Sequence, residues 1–311
     1  RCSSDLSAEQ AAAFIKDGMT VGMSGFTRAG EAKAVPLALV KQAKANPLKI
    51  TLITGASLGN DLDKQLTEAG VLARRLPFQV DNTLRKAINK GEVMFIDQHL
   101  SETVEQMRNL QLKKPDVAVI EAVAITEDGG IIPTTSVGNS ASFAIFAKEV
   151  IVEINTNLSP AFEGLHDIYI PSYRPTRQPI PLTQVDERIG TSAINIDPSK
   201  IVGIVFNSEY HDSPSTVTEP DDETQGIANH LIAFFEKEVE EGRLPKDLGP
   251  LQAGIGSIAN AVLTGLKESN FEDLVMYSEV LQDCTFELID AGKMKFASGS
   301  SITLSAKYGE K

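Results

Sequence analysis

Apolar residues along the chain form short dense runs separated by amphipathic stretches, and the two alternate from the start. "SAEQAAAFIKDG" opens with a capping box, Ser7 to Gln10, and ends at Gly18, which predicts a helix. "TVGMSG" then reads as a short buried strand leading into a loop. "AVPLALVKQAKA" is apolar at helical spacing, and Pro36 is tolerated in a first turn. "KITLITG" predicts a strand, "DNTLRKAINKG" a helix and "EVMFID" another strand. "DVAVIEAVAI" is apolar without alternation, as a strand buried on both faces requires, and the "EDGG" behind it predicts a hairpin turn. "NSASFAIFA" reads as a short helix, and "EVIVEIN" and "KIVGIVF" as strands. This alternation predicts an α/β fold with a largely parallel, open sheet.

Residues 156–200 break the rhythm with Pro160, Pro171, Pro175, Pro179, Pro181 and Pro198. A long stretch without regular elements inside a compact domain is usually functional. "PSTVTEPDDETQ" reads as a linker and "GIANHLIAFFEKEVEEG" as an amphipathic helix, so a domain boundary is expected near residues 212–222. Two domains follow, 1–215 and 216–311, in keeping with ~100–200 residues per domain. A pseudo-repeat relates them. "VGMSGF" supplies a glycine-rich turn and the next strand ends at "TGAS"; "AGIGS" supplies a second turn and the next strand ends at "YSEV". Ligands of open α/β sheets sit at the carboxyl ends of strands. Two such domains facing each other would bring Ser57 and Glu279 towards one cleft.

Hydrophobic residues make up 42% and charged residues 23% of the 311 positions, as in a globular protein with a real core. No apolar run approaches the ~18–20 residues of a membrane span, and no signal-peptide core is visible. The two cysteines, Cys2 and Cys284, cannot build a disulfide framework, which fits the cytoplasm or an organelle matrix. The net charge of −13 argues against nucleic acid or an anionic membrane as partner. It leaves a phosphate-bearing ligand open, because local loops can overrule the global sign.

Candidate chemistry clusters at the glycine turns. "VGMSGFTRAGEAKAVP" ends a strand at Ser24, Gly25 and Phe26, then carries Arg28, Gly30 and Lys33 into a helix whose N-terminus would favour an anion. An ordinary flexible loop is the plainer alternative. "GIGSIAN", with Gly254, Ile255, Gly256 and Asn260, serves equally as a tight strand-to-helix turn or as a dinucleotide loop, with Glu279 on the next strand as a ribose ligand. "SVGNSASF" places Ser136, Gly138 and Asn139 ahead of a helix, where an N-cap explains them. Glu163, His166 and Asp167 fit a polar interdomain network better than a metal site. His99, His211 and His230 form no ligand spacing, so no metal is expected. No G-x-S-x-G elbow and no P-loop is present.

Taken together, these stretches resemble the acetyl-CoA hydrolase/transferase family, along essentially the whole chain. The motifs that carry the resemblance are "GMSGFTRAGEAKAVPLAL", "TGASLGN", "AINKGEVMFIDQHLS", "IEAVAITEDGGIIPTTSVGNS", "EGLHDI", "GRLPKDLGPLQAGIGSIANAVLTGL" and "YSEVLQD". The resemblance implies two open-sheet α/β domains, the second incomplete here because family members are longer, and an active site between them. It implies that Glu279, the glutamate of "[ST]-E-V", is a nucleophile passing an acyl group through an anhydride to a glutamyl-CoA thioester. A carboxylate suits that task because a serine ester would dissipate the thioester's free energy. Gly254, Ile255, Gly256 and Asn260 would bind CoA and the oxyanion, with the Ile255 N–H as principal donor. Ser24, Gly25, Phe26 and Ser57 would line the acyl pocket. The family often has an Arg-Asp pair where this chain has His211-Asp212, which bears on carboxylate selectivity. The expected activity is CoA transfer between a short-chain acyl-CoA and a small carboxylate, with acyl-CoA hydrolysis as the alternative and a non-catalytic CoA-binding module as a different class. Coenzyme A would be substrate, with no permanently bound cofactor, and the chain would act as a homodimer.

Overall fold

The structure, a computed structural model, describes residues 5–215 and 220–309. Cys2 and residues 216–219 of the expected linker lie outside the described residues. The chain divides into two compact units, Arg1–Ile180 with Ile189–Ser213 and Pro181–Arg188 with Pro214–Lys311. One part of the proline-rich excursion, Pro181–Arg188, thus belongs to the second unit.

In the first unit the elements are α1 (Ala8–Ala12), β1 (Thr20–Met23), α2 (Ala34–Ala45), β2 (Ile50–Ile53), α3 (Leu62–Glu68), β3 (Leu72–Leu76), α4 (Asn82–Asn89) and β4 (Met94–Phe95). They continue as α5 (Leu100–Arg108), β5 (Val117–Ile125), β6 (Ile131–Pro133), α6 (Ser140–Phe146), β7 (Glu149–Asn155) and β8 (Ile201–Asn207). Seven strands run parallel in the order β4-β3-β2-β1-β5-β7-β8, and β6 returns antiparallel onto β5 through the "EDGG" turn. Alternate residues of the central strands feed opposite faces, as the strand period of two demands. Val117, Val119 and Ile151 join one core with Leu39 and Leu52. Ala118, Ile120, Val150 and Val152 join the other with Phe143 and Met107. Both faces are covered, so the strands read as unbroken apolar runs. Gly22 of β1 has a packing reason: a Cβ there would lie 2.8 Å from Phe143 Cγ, so only glycine lets α6 seat its ring on the sheet.

Three elements escape the hydrophobic pattern: α3, β3 and α5. β3 hides because Arg74 and Arg75 sit inside it. Arg75 is nonetheless fully buried, its Nε and Nη2 donating to Asp63 at 2.8 and 3.1 Å and its Nη1 donating to Thr54 Oγ1 and the Leu76 carbonyl. A buried arginine is tolerated when its fork is satisfied in this way.

The second unit holds α7 (Asp222–Glu240), β9 (Pro250–Leu251), α8 (Ser257–Glu268), β10 (Leu274–Tyr277), β11 (Val280–Leu281), α9 (Asp283–Asp290), β12 (Met294–Ser298), β13 (Ser301–Ile302) and α10 (Ala306–Gly309). α7 begins at Asp222, capped by the Asp221 carboxylate on the Thr224 N–H, so part of the expected linker is helix. Strands β12-β10-β9 form one parallel sheet and β11-β13 a second. Leu263, Leu266, Phe271, Leu274, Met276 and Leu288 form the core, with Ile232 and Phe235 of α7 against them. "LVMYSEV" is therefore not one strand. It leaves the first small sheet after Tyr277 and enters the second at Val280, and "MKFASGSSITLS" breaks in step at Gly299–Ser300.

Candidate active site

The joint between the two small sheets is where Glu279 sits. Its carbonyl accepts from the Ser300 N–H at 2.8 Å and the Ser301 N–H at 3.2 Å, which fixes the backbone while the residue itself is exposed. Alternation turns its neighbours Ser278 and Val280 inward. Ser278 Oγ donates to the Ala253 carbonyl at 3.0 Å and accepts from the Ala253 N–H at 3.3 Å. Gln282 Nε2 donates to the Gly254 carbonyl at 3.3 Å. The residues on either side of Glu279 therefore hold the G-I-G loop beside it. Ile255 is 62% exposed, its N–H has no partner among the described residues, and Gly256 takes φ +144°. Asn260, in the first turn of α8, is half-buried and its Oδ1 accepts from Cys284 Sγ at 3.5 Å. Burial first of all pushes the Cys284 thiol up to about 11, which keeps it a neutral donor.

In the first unit the structure brings Ser24, Gly25, Phe26 and Ser57 together at the carboxyl ends of β1 and β2. Ser24 Oγ accepts from the Glu121 N–H at 2.9 Å, which ties the end of β1 to β5. Phe26 and Ala29 exchange backbone bonds of 2.9 and 3.2 Å around Thr27 and Arg28, whose φ values of +52° and +64° give a turn that usually needs Asn or Gly. The Arg28 N–H donates to the Ser57 carbonyl at 3.0 Å. In the facing loop Asn60 and Asp61 also have positive φ, +54° and +52°. Left-handed conformations of non-glycine residues are costly and concentrate at functional sites. The loops approach so closely that a Cβ on Gly55 would lie 2.6 Å from the Gly25 carbonyl oxygen. Ser24, Phe26 and Ser57 are all nearly buried. Two clefts of this unit, each about 300 Å³, are lined by residues such as Ile168 and Thr191 or Ala34 and Phe206, and by none of these four.

Beneath these loops lies a charge cluster that sequence reasoning missed. Lys33 is fully buried, with Nζ 2.6 Å from Glu121 Oε2 and 2.8 Å from Asp212 Oδ1. Glu121 accepts further from Thr134 Oγ1 at 2.7 Å and Asn155 Nδ2 at 3.1 Å. Asp212 accepts from the Gly30 N–H at 3.2 Å and from Thr135 Oγ1 at 2.5 Å. Glu153 takes the N–H groups of Lys33, Ala34 and Val35 at 2.9, 2.9 and 3.0 Å. This corrects one expectation. The N-terminus of α2 and Lys33 do not await an anionic ligand, because the protein's own carboxylates already satisfy both. Burial alone would lower the lysine's pKa, but Glu121, Asp212 and Glu31 outweigh it and hold Lys33 protonated, above the ordinary lysine value. Burial, opposed by Lys33 and reinforced by Asp212 and Glu153, pushes Glu121 up to about 8. The only hint in the sequence was the placing of Glu121 and Glu153 within otherwise apolar strands.

One other expectation changes. Ser136 is no helix cap: its Oγ donates to the Ala29 carbonyl at 2.8 Å, and Asn139 stands at the N-cap of α6 without a side-chain cap bond. His166 and Asp167 each bond to backbone of the first unit. His166 Nε2 lies 2.8 Å from the Pro133 carbonyl, and Asp167 accepts from the Gly190 N–H at 2.6 Å. Among the described residues no group of His, Cys, Asp and Glu is arranged to hold a metal, and no helix is long and apolar enough to cross a membrane.

A family model described as "Acetyl-CoA hydrolase/transferase N-terminal domain" matches residues 5–206, well over half of the chain. The chain belongs to the acetyl-CoA hydrolase/transferase family. It is 45% identical over 300 residues to a succinyl-CoA:acetate CoA-transferase of Clostridium kluyveri, covering 96% of this chain and 56% of that protein. It is 43% identical over 308 residues to an acetyl-CoA hydrolase of Schizosaccharomyces pombe, covering 96% and 59%. The chain thus spans somewhat over half the length of these two relatives. Among solved structures, RipA from Yersinia pestis aligns with a TM-score of 0.66 at 17% identity, over 96% of this chain and 67% of that one. A 4-hydroxybutyrate CoA-transferase from Porphyromonas gingivalis aligns with a TM-score of 0.63 at 20% identity, over 97% and 63%. At these identities the two structures speak for the fold, an α/β architecture with open parallel sheets as the family resemblance implied.

Proposed function

We propose that this family member is a CoA-transferase that moves CoA between a short-chain acyl-CoA and a small carboxylate, with Glu279 as nucleophile. The observation that carries the reading is local to the second unit: an exposed glutamate at a strand end, its backbone fixed by Ser300 and Ser301, beside a glycine loop pinned by Ser278. A Glu279 oxygen attacks the acyl carbonyl, the C–S bond breaks, and CoA leaves as thiolate from a mixed anhydride. The thiolate then attacks the glutamyl carbonyl, releasing the first carboxylate and leaving a glutamyl-CoA thioester. The acceptor carboxylate attacks that thioester, and the same two steps in reverse return Glu279 and form the new acyl-CoA. Every step passes through an oxyanion, for which the Ile255 N–H, with Gly254 and Gly256 giving it room, is the donor in this reading. Asn260 assists there, and Ser24, Gly25, Phe26 and Ser57 form the acyl pocket. We place the reaction in the cytoplasm, on the low cysteine count, and in a homodimer.

The second reading is acyl-CoA hydrolysis, favoured by the acetyl-CoA hydrolase name of a relative at 43% identity. It uses the same intermediates, with water as acceptor, and differs only in how far the site excludes water. Turnover of acetyl-CoA by the full-length protein, with and without succinate, separates them. Transfer requires the acceptor; hydrolysis proceeds without it. Glu279→Ala abolishes both, and Glu279→Asp, which withdraws the carboxylate by one methylene, lowers either by ~10²-fold. Near-normal turnover in Glu279→Ala would overturn the mechanism.

A further inference from the structure

Among the buried ionisable groups of the first unit, Glu31 has the fewest partners. It is fully buried, its Oε1 accepts from Asn60 Nδ2 at 2.9 Å, and its Oε2 meets no hydrogen-bond partner among the described residues. Its place is defined by the two strained loops. A Cβ on Gly25 would lie 2.8 Å from Glu31 Cβ, and one on Gly59 would lie 2.4 Å from Glu31 Oε1, so both loops close directly over this side chain. Asn60, which it grips, also donates from Nδ2 to the His211 carbonyl at 3.1 Å and from its N–H to Ser213 Oγ at 2.9 Å. Glu31 therefore joins the loop carrying Gly25 and Phe26 to the loop carrying Ser57, and through Asn60 to residues 211–213.

We propose that Glu31 is a positioning residue for the acyl pocket, holding the Gly25–Phe26 and Ser57 loops in register through Asn60 and doing so as a neutral carboxylic acid. The proposal rests on the reading of Ser24, Gly25, Phe26 and Ser57 as that pocket. The neutral form follows from solvation: an ionised carboxylate fully buried from solvent with one hydrogen bond is far costlier than its protonated form. It also follows from the charges around it. Those that face Glu31 are Lys33 of its own segment and Asp212; Glu121 of β5 and Glu153 of β7 are joined to it through Lys33, and His211 lends only its carbonyl. One lysine thus serves Glu31, Glu121 and Asp212, and of the three fully buried glutamates Glu121 has three donors and Glu153 four, against one for Glu31. Burial first, then the Asp212 charge, pushes Glu31 up to about 7, so it ionises within the physiological range. Once ionised, it repels Asp212 and strains the contact that keeps the loops together.

The test uses full-length protein and three variants. Glu31→Gln keeps the neutral shape, Glu31→Ala removes the tie, and Asn60→Gly deletes its partner while relieving the positive φ. In difference infrared spectra the wild type shows a protonated-carboxyl band that titrates near 7 and is absent from Glu31→Gln. The wild-type kcat/KM falls about tenfold from pH 6 to pH 8 relative to Glu31→Gln, following the neutral fraction. Asn60→Gly and Glu31→Ala raise the preference for butyryl-CoA over acetyl-CoA by at least about tenfold, the discrimination one methylene gives in a fitted pocket. Wild-type and Glu31→Gln spectra with the same protonated-carboxyl bands at pH 6, a Glu31→Gln pH profile parallel to the wild type, or an unchanged acyl preference in both tie-breaking variants overturns the proposal. The infrared band is read without turnover, so it still judges Glu31 if Glu279→Ala shows the catalytic reading to be wrong.

Discussion

The two glycine turns look alike in sequence and are opposite in construction. In the first unit the turn is packed shut: Cβ atoms on Gly25, Gly30, Gly55 and Gly59 would each come within 2.8 Å of a neighbour, and charged groups beneath it are buried. In the second, a Cβ on Gly254 or Gly256 would meet nothing within 4 Å, Ile255 protrudes, and Glu279 faces solvent. A strand–glycine–helix signature therefore does not say what the glycines are for. In one turn they let two loops and a buried acid close on each other. In the other they leave backbone N–H groups accessible beside an exposed carboxylate.

The contrast is broken most severely at Lys33. Lys33→Met leaves Glu121 and Asp212 facing each other without their cation, and removing one partner of a buried pair costs about 3–5 kcal/mol. Urea unfolding of the full chain should show this loss, whereas Lys267→Met on the half-exposed α8 surface should change stability by less than about 0.5 kcal/mol. Equal losses would mean that the buried cluster is no more important than a surface pair. Next come the glycines themselves. Gly55→Ala places a methyl against backbone 2.6 Å away, which cannot yield as a side chain would, and should cost about 1–3 kcal/mol. Gly254→Ala, in open space, should leave the melting temperature within a degree or two, at about 0.5 kcal/mol or less.

A pH series sharpens the comparison further. Glu31 and Glu121 have folded-state pKa values raised to about 7 and about 8 from the ordinary 4.5. The folded protein then holds more protons than the unfolded chain, so their contribution is full below about pH 4.5 and is lost as pH rises through the 7–8 range. The melting temperature should fall between pH 5 and pH 8, and Glu121→Gln should flatten part of that slope. Asp116 acts in the opposite direction: despite partial burial, hydrogen bonds from Lys113 and Lys148 bring it down to about 2, and its contribution disappears only as pH falls from about 3.8 towards 2. A modest effect is expected at Ser278. Ser278→Ala removes the two bonds to Ala253 and should cost about 1 kcal/mol, with a larger effect on kcat than on stability if the G-I-G loop must be held beside Glu279.

The sheet of the first unit was legible because a parallel strand covered on both faces has to be written as a dense apolar run, as "DVAVIEAVAI" and "EVIVEIN" are. β3 was not, since Arg75 contradicts that rule and its Asp63 partner lies on a helix whose own pattern is weak. The residues of the glycine turns were also legible, and Ser24, Gly25, Phe26 and Ser57 do gather in one place. What sequence could not give was the layer beneath them. Lys33, Glu121, Glu153 and Asp212 are far apart along the chain, and no local pattern says that they meet. Only the topology, which sets β1, β5, β7 and β8 near one another, turns them into one cluster. The break at Ser278–Glu279 was hidden for a related reason, since it depends on the pairing of "YSEV" with a partner strand interrupted at Gly299–Ser300.

Glu279 remains the residue on which the functional account stands, and the thioester it is proposed to form can be weighed. Full-length protein incubated with acyl-CoA in the absence of an acceptor, quenched in acid, digested and examined by mass spectrometry, should give a peptide bearing CoA through a thioester at Glu279. Glu279→Ala should give none. A CoA adduct on any other residue, or turnover of acyl-CoA with no adduct at Glu279 under conditions where the intermediate accumulates, would contradict the account.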